Sequence, residues 1–231
     1  MAGATPLSVE RYNSFVGSSR DPAGSDGHSV DERLRESDDF FLERGPVHKT
    51  LRLLAERLDG EGIPYAVLGG MALTLLGHRR LTTGIDVLLT PSGLENFRDR
   101  FVGRGYAQAV PGASKTFWDP QTNVKIEILT TGEYPGDGKR KPVSFPDPAV
   151  AGIDRGGIRV VAIEKLIELK LASGLSAAHR TLIDLADVQR LIEELDLPLD
   201  LAEQLDGSVR SEYRGLWELA QRRKEGPQER E

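Results

Sequence analysis

The sequence predicts an α/β fold of the α+β kind: a mixed sheet flanked by helices, followed by a helical C-terminal region. Three observations predict it. Short apolar runs bounded by Gly, Pro and Asn recur between residues 64 and 162, as strands do. Segments with apolar residues at helical spacing alternate with those runs. Beyond residue 163 only the helical spacing remains.

Residues 1–44 are rich in Ser, Asp, Glu, Arg and Gly. Such a stretch buries too little apolar surface to offset its ordering entropy, so a mostly disordered arm is expected, with a short helix around Val30–Arg44. An α/β core is expected over 45–162, a helical region over 163–225 and a disordered tail over 226–231. Leu51, Leu54 and Leu58 give the first core helix its face, and Gly60 and Gly62 end it. Pro64–Gly70 reads as a buried strand running into a glycine turn, and Met71–Gly77 as a brief helix. Ile85–Leu89 is the next strand. Ser92 with Glu95 has the spacing of a capping box, and Leu94, Phe97 and Phe101 form the apolar face behind it.

Strands at Thr116–Trp118 and Val124–Leu129 are joined by Asp119–Asn123, which has hairpin turn chemistry. Thr131 to Pro148 reads as a solvated, locally basic connection, the alternative being that its Gly132–Pro142 stretch closes over a triphosphate or an acceptor such as RNA. Ile158–Ala162 is the last strand. Three helices follow, at Ile163–Ala172, Ala178–Leu195 and Val209–Arg223. The middle one is apolar almost all round, which implies burial.

Composition narrows the chemistry. The chain has 231 residues, 39% apolar and 29% charged, which suits a soluble globular protein. It has no cysteine, which excludes disulfides, zinc–thiolate sites and thiol catalysis. Its four histidines, at 28, 48, 78 and 179, have no metal-binding spacing. Residues 1–30 lack a signal-peptide core, and the apolar stretch Tyr65–Leu76 is too short to span a bilayer. A cytoplasmic protein without a membrane partner is expected. With net charge −6, DNA is not an expected partner.

The chemistry concentrates between Leu68 and Leu89. A double glycine between strand and helix, Gly69-Gly70, lets backbone approach a phosphate closely. On the following strand Gly84, Asp86 and Leu88 face one way, and Ile85, Val87 and Leu89 the other. An Asp in an apolar strand is costly without a partner or a metal, unless the strand lies at an edge with Asp86 in water.

Leu68-Gly69-Gly70 followed by Gly84-Ile85-Asp86-Val87 resembles the polymerase-beta-type nucleotidyltransferase signature, a glycine turn, a short helix and then Asp-x-Asp or Asp-x-Glu. The run Arg79-Arg80-Leu81-Thr82-Thr83 and the later helices look like bacterial minimal nucleotidyltransferases and AbiE-type, toxin–antitoxin-like relatives. The resemblance spans roughly 47–197. It implies a nucleotidyltransferase-type fold, a nucleoside triphosphate as substrate and a protein hydroxyl, an RNA end or a small molecule as acceptor. It also implies Mg²⁺ held by Asp86 and by Glu127, which resembles the third carboxylate of the family. Glu127 reads equally well as part of a solvated Lys125–Glu127 face. One position departs from the signature. The first acidic residue is Gly84 here, so the metal site is degenerate.

The resemblance further assigns phosphate binding to Gly69, Gly70, Arg80 and Lys170. His78, Arg79 and Arg80 read almost as well as a surface charge cluster. Lys170 falls on the apolar stripe of its helix, either snorkelling to water or serving a buried anion. Arg180, Asp184 and Asp187 lie at spacings of four and three. With Lys170 they resemble the Lys…Arg…Asp pattern of the family, which implies that they shape the nucleotide cleft or brace the domain junction; the other reading, favoured for Arg180–Asp184, is an internal salt-bridge cluster that fixes helix docking.

Overall fold

The computed structural model describes Arg35 and Ser37, which are helical, and residues 39–40, 43–78 and 80–224. The predicted arm and its helix lie largely outside these residues, and Arg79 and the 226–231 tail lie wholly outside them.

Helix α1 (Pro46–Gly60) starts on a proline whose missing N–H is one that no helix start can bond. It turns Leu51, Leu54 and Leu58 into the core. The chain reverses at Gly62, with φ +63°, into β1 (Tyr65–Leu68), which is buried on both faces. Helix α2 (Gly69–Leu75) follows directly, then β2 (Gly84–Leu89) and α3 (Pro91–Phe101). Next come β3 (Ala107–Gln108), β4 (Thr116–Asp119), β5 (Val124–Thr130), the single turn α4 (Pro148–Ala151), β6 (Gly152–Arg155) and β7 (Ile158–Val161). The remaining helices are α5 (Ile163–Ser176), α6 (Ala178–Glu194), a 3₁₀ segment (Leu199–Gln204) and α7 (Arg210–Lys224).

The seven strands form one sheet in the order β3-β4-β5-β2-β1-β7-β6. β2 runs parallel to β5 and antiparallel to β1, and β1 runs parallel to β7. The sheet is therefore mixed, as expected. Among the described residues, helices lie against it and only helices follow it, which is the predicted fold class. Phe97 of α3 sits among Phe101, Tyr106 and Phe117 and anchors the core under β4 and β5.

Several local expectations are corrected. The cap of α3 is Thr90, whose Oγ1 accepts from the Gly93 N–H at 3.0 Å; Ser92 lies inside the helix. Pro91 explains the shift, since proline favours the first helical position and leaves the preceding residue to cap. The short β3, and β6, which pairs with β7 as a hairpin, lie outside the predicted strands. Helix α6 is not buried all round: Leu182 is 85% exposed and Ile183 51%. The segment after β5 is not a loosely solvated connection either, because Val143 and Phe145 are buried. Among the described residues, no helix is long and apolar enough to cross a membrane.

Candidate active site

Register brings the two predicted carboxylates together. Asp86 on β2 lies opposite Glu127 on the parallel neighbour β5, so the two side chains share one face of the sheet. Both line a cleft of about 330 Å³. Gly69 supplies its floor at the β1–α2 turn, α5 and α6 supply Lys170, Ser173, Arg180 and Asp184, and the loop after β5 supplies Glu133 to Gly136.

Gly69 has φ +60°, a conformation glycine adopts freely and other residues rarely. A Cβ there would stand 2.8 Å from Asp86 Cγ and closer still to its Oδ2. The missing side chain is what makes room for the carboxylate. Gly70 serves a different purpose. It lies against Thr82, whose Cβ would be 2.8 Å from a Cβ at 70, and it does not line the cleft. Burial pushes the Asp86 carboxyl above its ordinary range and the neighbouring Glu127 adds to it, while Arg180, Lys125 and Lys170 pull the other way. Glu127 is partly solvated and accepts from Lys125 Nζ at 2.8 Å, so the solvated Lys–Glu face and the cleft carboxylate are the same residue.

Gly84 has an ordinary backbone conformation. A Cβ at this position would meet the Lys125 carbonyl oxygen at 3.3 Å and little else, so a side chain needs only a small adjustment. Among the described residues, no group of three or more His, Asp or Glu converges to hold a metal ion. The Asp86–Glu127 pair is still a donor set that fits Mg²⁺, which commonly takes one or two carboxylates and completes its shell with phosphate oxygens and water. A buried carboxylate whose charge is under-compensated is where such a cation would gain most.

The distal residues form one network. Lys170 is buried and donates to Asp184 Oδ1 at 3.1 Å and Asp187 Oδ2 at 2.7 Å. Its ammonium is thus already held between two carboxylates. Asp187 is also paired with Arg80, which ties the segment before β2 to α6. Arg180 grips Asp184 through Nε at 2.9 Å and Nη2 at 3.0 Å. No hydrogen bond among the described residues engages its Nη1, and its side chain is 48% exposed at the cleft. Burial works against charge on Asp184, yet Arg180 and Lys170 overcome it and hold the carboxyl below its ordinary range.

His78 is not a surface residue: it is buried and shares a 2.7 Å hydrogen bond with Glu194. The loop wall is also more fixed than its composition suggests. Lys141 Nζ donates to the Pro135 carbonyl and Asp137, each at 2.5 Å, and to Ser176 Oγ at 2.8 Å. The cleft also takes Glu133 and Tyr134, from the loop whose alternative reading is closure over a triphosphate, and Ser173, which no sequence motif marks. The Pro135-Gly136 pair signalled a turn, but nothing in the sequence said that the turn would rest against the end of α5.

No protein-family model matches the chain, and no curated protein matches it in sequence. Solved structures do resemble it. An antigenic nucleotidyltransferase-like protein from Paracoccidioides brasiliensis is 14% identical, with a TM-score of 0.42 over 77% of this chain and 88% of that one. JHP933 from Helicobacter pylori is 17% identical, with a TM-score of 0.41 over 77% of this chain and 91% of the other.

Proposed function

We propose that the cleft binds a nucleoside triphosphate and transfers its NMP to a hydroxyl of a protein, RNA or small-molecule acceptor. The carrying observation is Asp86, seated over Gly69 and beside Glu127 in one cleft, within a motif that resembles the polymerase-beta-type nucleotidyltransferases. The acceptor oxygen forms a bond to the α-phosphorus as the bond to the pyrophosphate oxygen breaks. Pyrophosphate leaves with the electron pair, and the hydroxyl proton passes to Glu127, the more solvated carboxylate, and on to water. Asp86 and Glu127 would hold Mg²⁺, which would supply charge neutralisation at the triphosphate. Arg180 offers the open donor edge for a phosphate oxygen, with Lys170 adding positive potential behind it. Gly69 lets the chain approach the phosphates closely. A cytoplasmic location and kinship with AbiE-type relatives belong to the same proposal.

Calorimetric titration with each of the four common NTPs, with and without Mg²⁺, tests this. Mg²⁺-dependent binding of at least one is expected. No binding by folded protein at millimolar NTP would sink the reading.

Gly84 favours a second reading, a catalytically inactive module of the same fold that senses a nucleotide or binds a protein. As a nucleotide sensor it predicts NTP binding without turnover.

A further inference from the structure

The face of the sheet that carries Asp86 and Glu127 extends beyond the cleft. Along the next row across the strands, Gly84 of β2 lies opposite Lys125 of β5, Lys125 opposite Trp118 of β4, and Trp118 opposite Ala107 of β3. Paired residues on neighbouring strands point to the same side. Lys125 shares the side of Glu127, as their 2.8 Å ion pair confirms, so Trp118 stands on that side too. The opposite side is the filled one: Phe117 and Ile126 are buried.

Trp118 is only partly buried, and its indole N–H makes no hydrogen bond among the described residues. No aromatic ring among them stacks on it either. Its row neighbours leave room: Ala107 is small and exposed, and above Gly84 a Cβ would touch only Lys125. Strand spacing places Trp118 Cα roughly 12 Å from that of Asp86. An indole face, an adjacent ammonium and the bare backbone of Gly84 therefore lie on the same face of the sheet as the carboxylate pair.

We infer that Trp118, Lys125 and the backbone at Gly84 form the acceptor subsite, and that it takes a nucleobase ring with its adjoining phosphate. The ring stacks on the indole, a contact every base offers through its π-face. The phosphate meets Lys125, a point charge with donors to spare beyond the one given to Glu127. The missing side chain at 84 leaves the path from the indole to Asp86 open. Ring and phosphate together are offered by a free nucleotide and by the end of a single strand. This inference rests on the transferase reading in calling the site an acceptor site, but its binding test does not require an NTP.

The Trp217 indole is fixed by a 2.9 Å hydrogen bond to the Leu197 carbonyl, so Trp217→Phe leaves Trp118 as the sole tryptophan reporter. Adenosine monophosphate and a short single-stranded oligoribonucleotide are titrated separately, without NTP, while tryptophan emission is followed. Saturable quenching is expected from one or both. Quenching by the monophosphate assigns a free nucleotide, and quenching by the oligonucleotide alone assigns a strand end. In the otherwise native chain, Trp118→Ala should weaken the quenching probe's affinity about 5- to 100-fold, measured by anisotropy of a labelled probe. If Trp217→Phe does not fold, that comparison decides alone. Absence of quenching, or equal affinity in Trp118→Ala, overturns the subsite even where NTP binding is intact. Quenching without any NTP binding leaves the subsite standing and overturns the transferase reading instead.

Discussion

The Asp86 carboxylate lies directly over the backbone of Gly69, in the space a side chain at 69 would fill. The first turn of α2 and the middle of β2 therefore constrain each other, and the cleft depends on both. In Gly69→Ala the new methyl group must displace the carboxylate while the residue is held at positive φ. A stability loss of about 1–3 kcal/mol is expected by thermal denaturation, together with loss of NTP binding by calorimetry. Unchanged binding would mean that the position of Asp86 is not what the ligand reads.

Asp86 itself should cost stability. Its folded-state carboxyl titrates above the ordinary value of 3.8, first because it is buried and then because Glu127 is near. Between the unfolded and folded values the native state binds more protons, so stability falls as pH rises through that window. Asp86→Asn removes this burden. The variant should melt higher than the native protein at pH 7, with the gap closing as pH falls toward and below the unfolded value, and it should lose Mg²⁺-dependent NTP binding. A lower melting temperature at pH 7 would show that the charge is compensated in the native fold.

Lys170 and Arg180 should separate stability from binding. Lys170→Met leaves Asp184 and Asp187 with one cation each in a buried setting, at a cost of about 3–5 kcal/mol. Arg180→Gln removes a half-exposed group and should cost less stability, yet weaken NTP affinity more. The depressed Asp184 carboxyl adds a pH signature: its contribution is present above the unfolded value and is lost as pH falls through the folded one. Chemical denaturation at several pH values, beside calorimetry, checks both arms.

Gly84→Asp tests whether the natural site is degenerate. The backbone there accepts a side chain with a shift of a few tenths of an ångström at the Lys125 carbonyl, and the new carboxylate would share the side of Asp86. A tenfold or greater gain in Mg²⁺-dependent NTP affinity or nucleotidyl transfer is expected. Equal activity in both proteins would show that Asp86 and Glu127 suffice and would remove the motive for the inactive-module reading.

Much of this was legible along the chain. The alternation in Gly84–Leu89 marks a strand and puts Asp86 on the face away from Ile85 and Val87. At the β6–β7 hairpin, Gly156-Gly157, both at positive φ, carry a two-residue turn signal, but Gly152-Ile153-Asp154-Arg155 before them holds one apolar residue and so shows no strand pattern. The Ser92 cap was misplaced because capping-box spacing outweighed the proline that precedes it. The exposed Leu182 and Ile183 were read as buried because a helix with apolar residues all round does not say which sides have a partner.

By itself, the sequence determined the fold class, the glycine turn and the types of group available for chemistry, since each depends on neighbours a few residues away. Only the tertiary structure decided that Asp86 and Glu127 share a row, that Lys170 is already held by two carboxylates while Arg180 keeps a free edge, and that Trp118 stands beside them. Register between distant strands and the docking of one helix on another set those relationships. Both are fixed by burying the whole core at once, so no local pattern carries them.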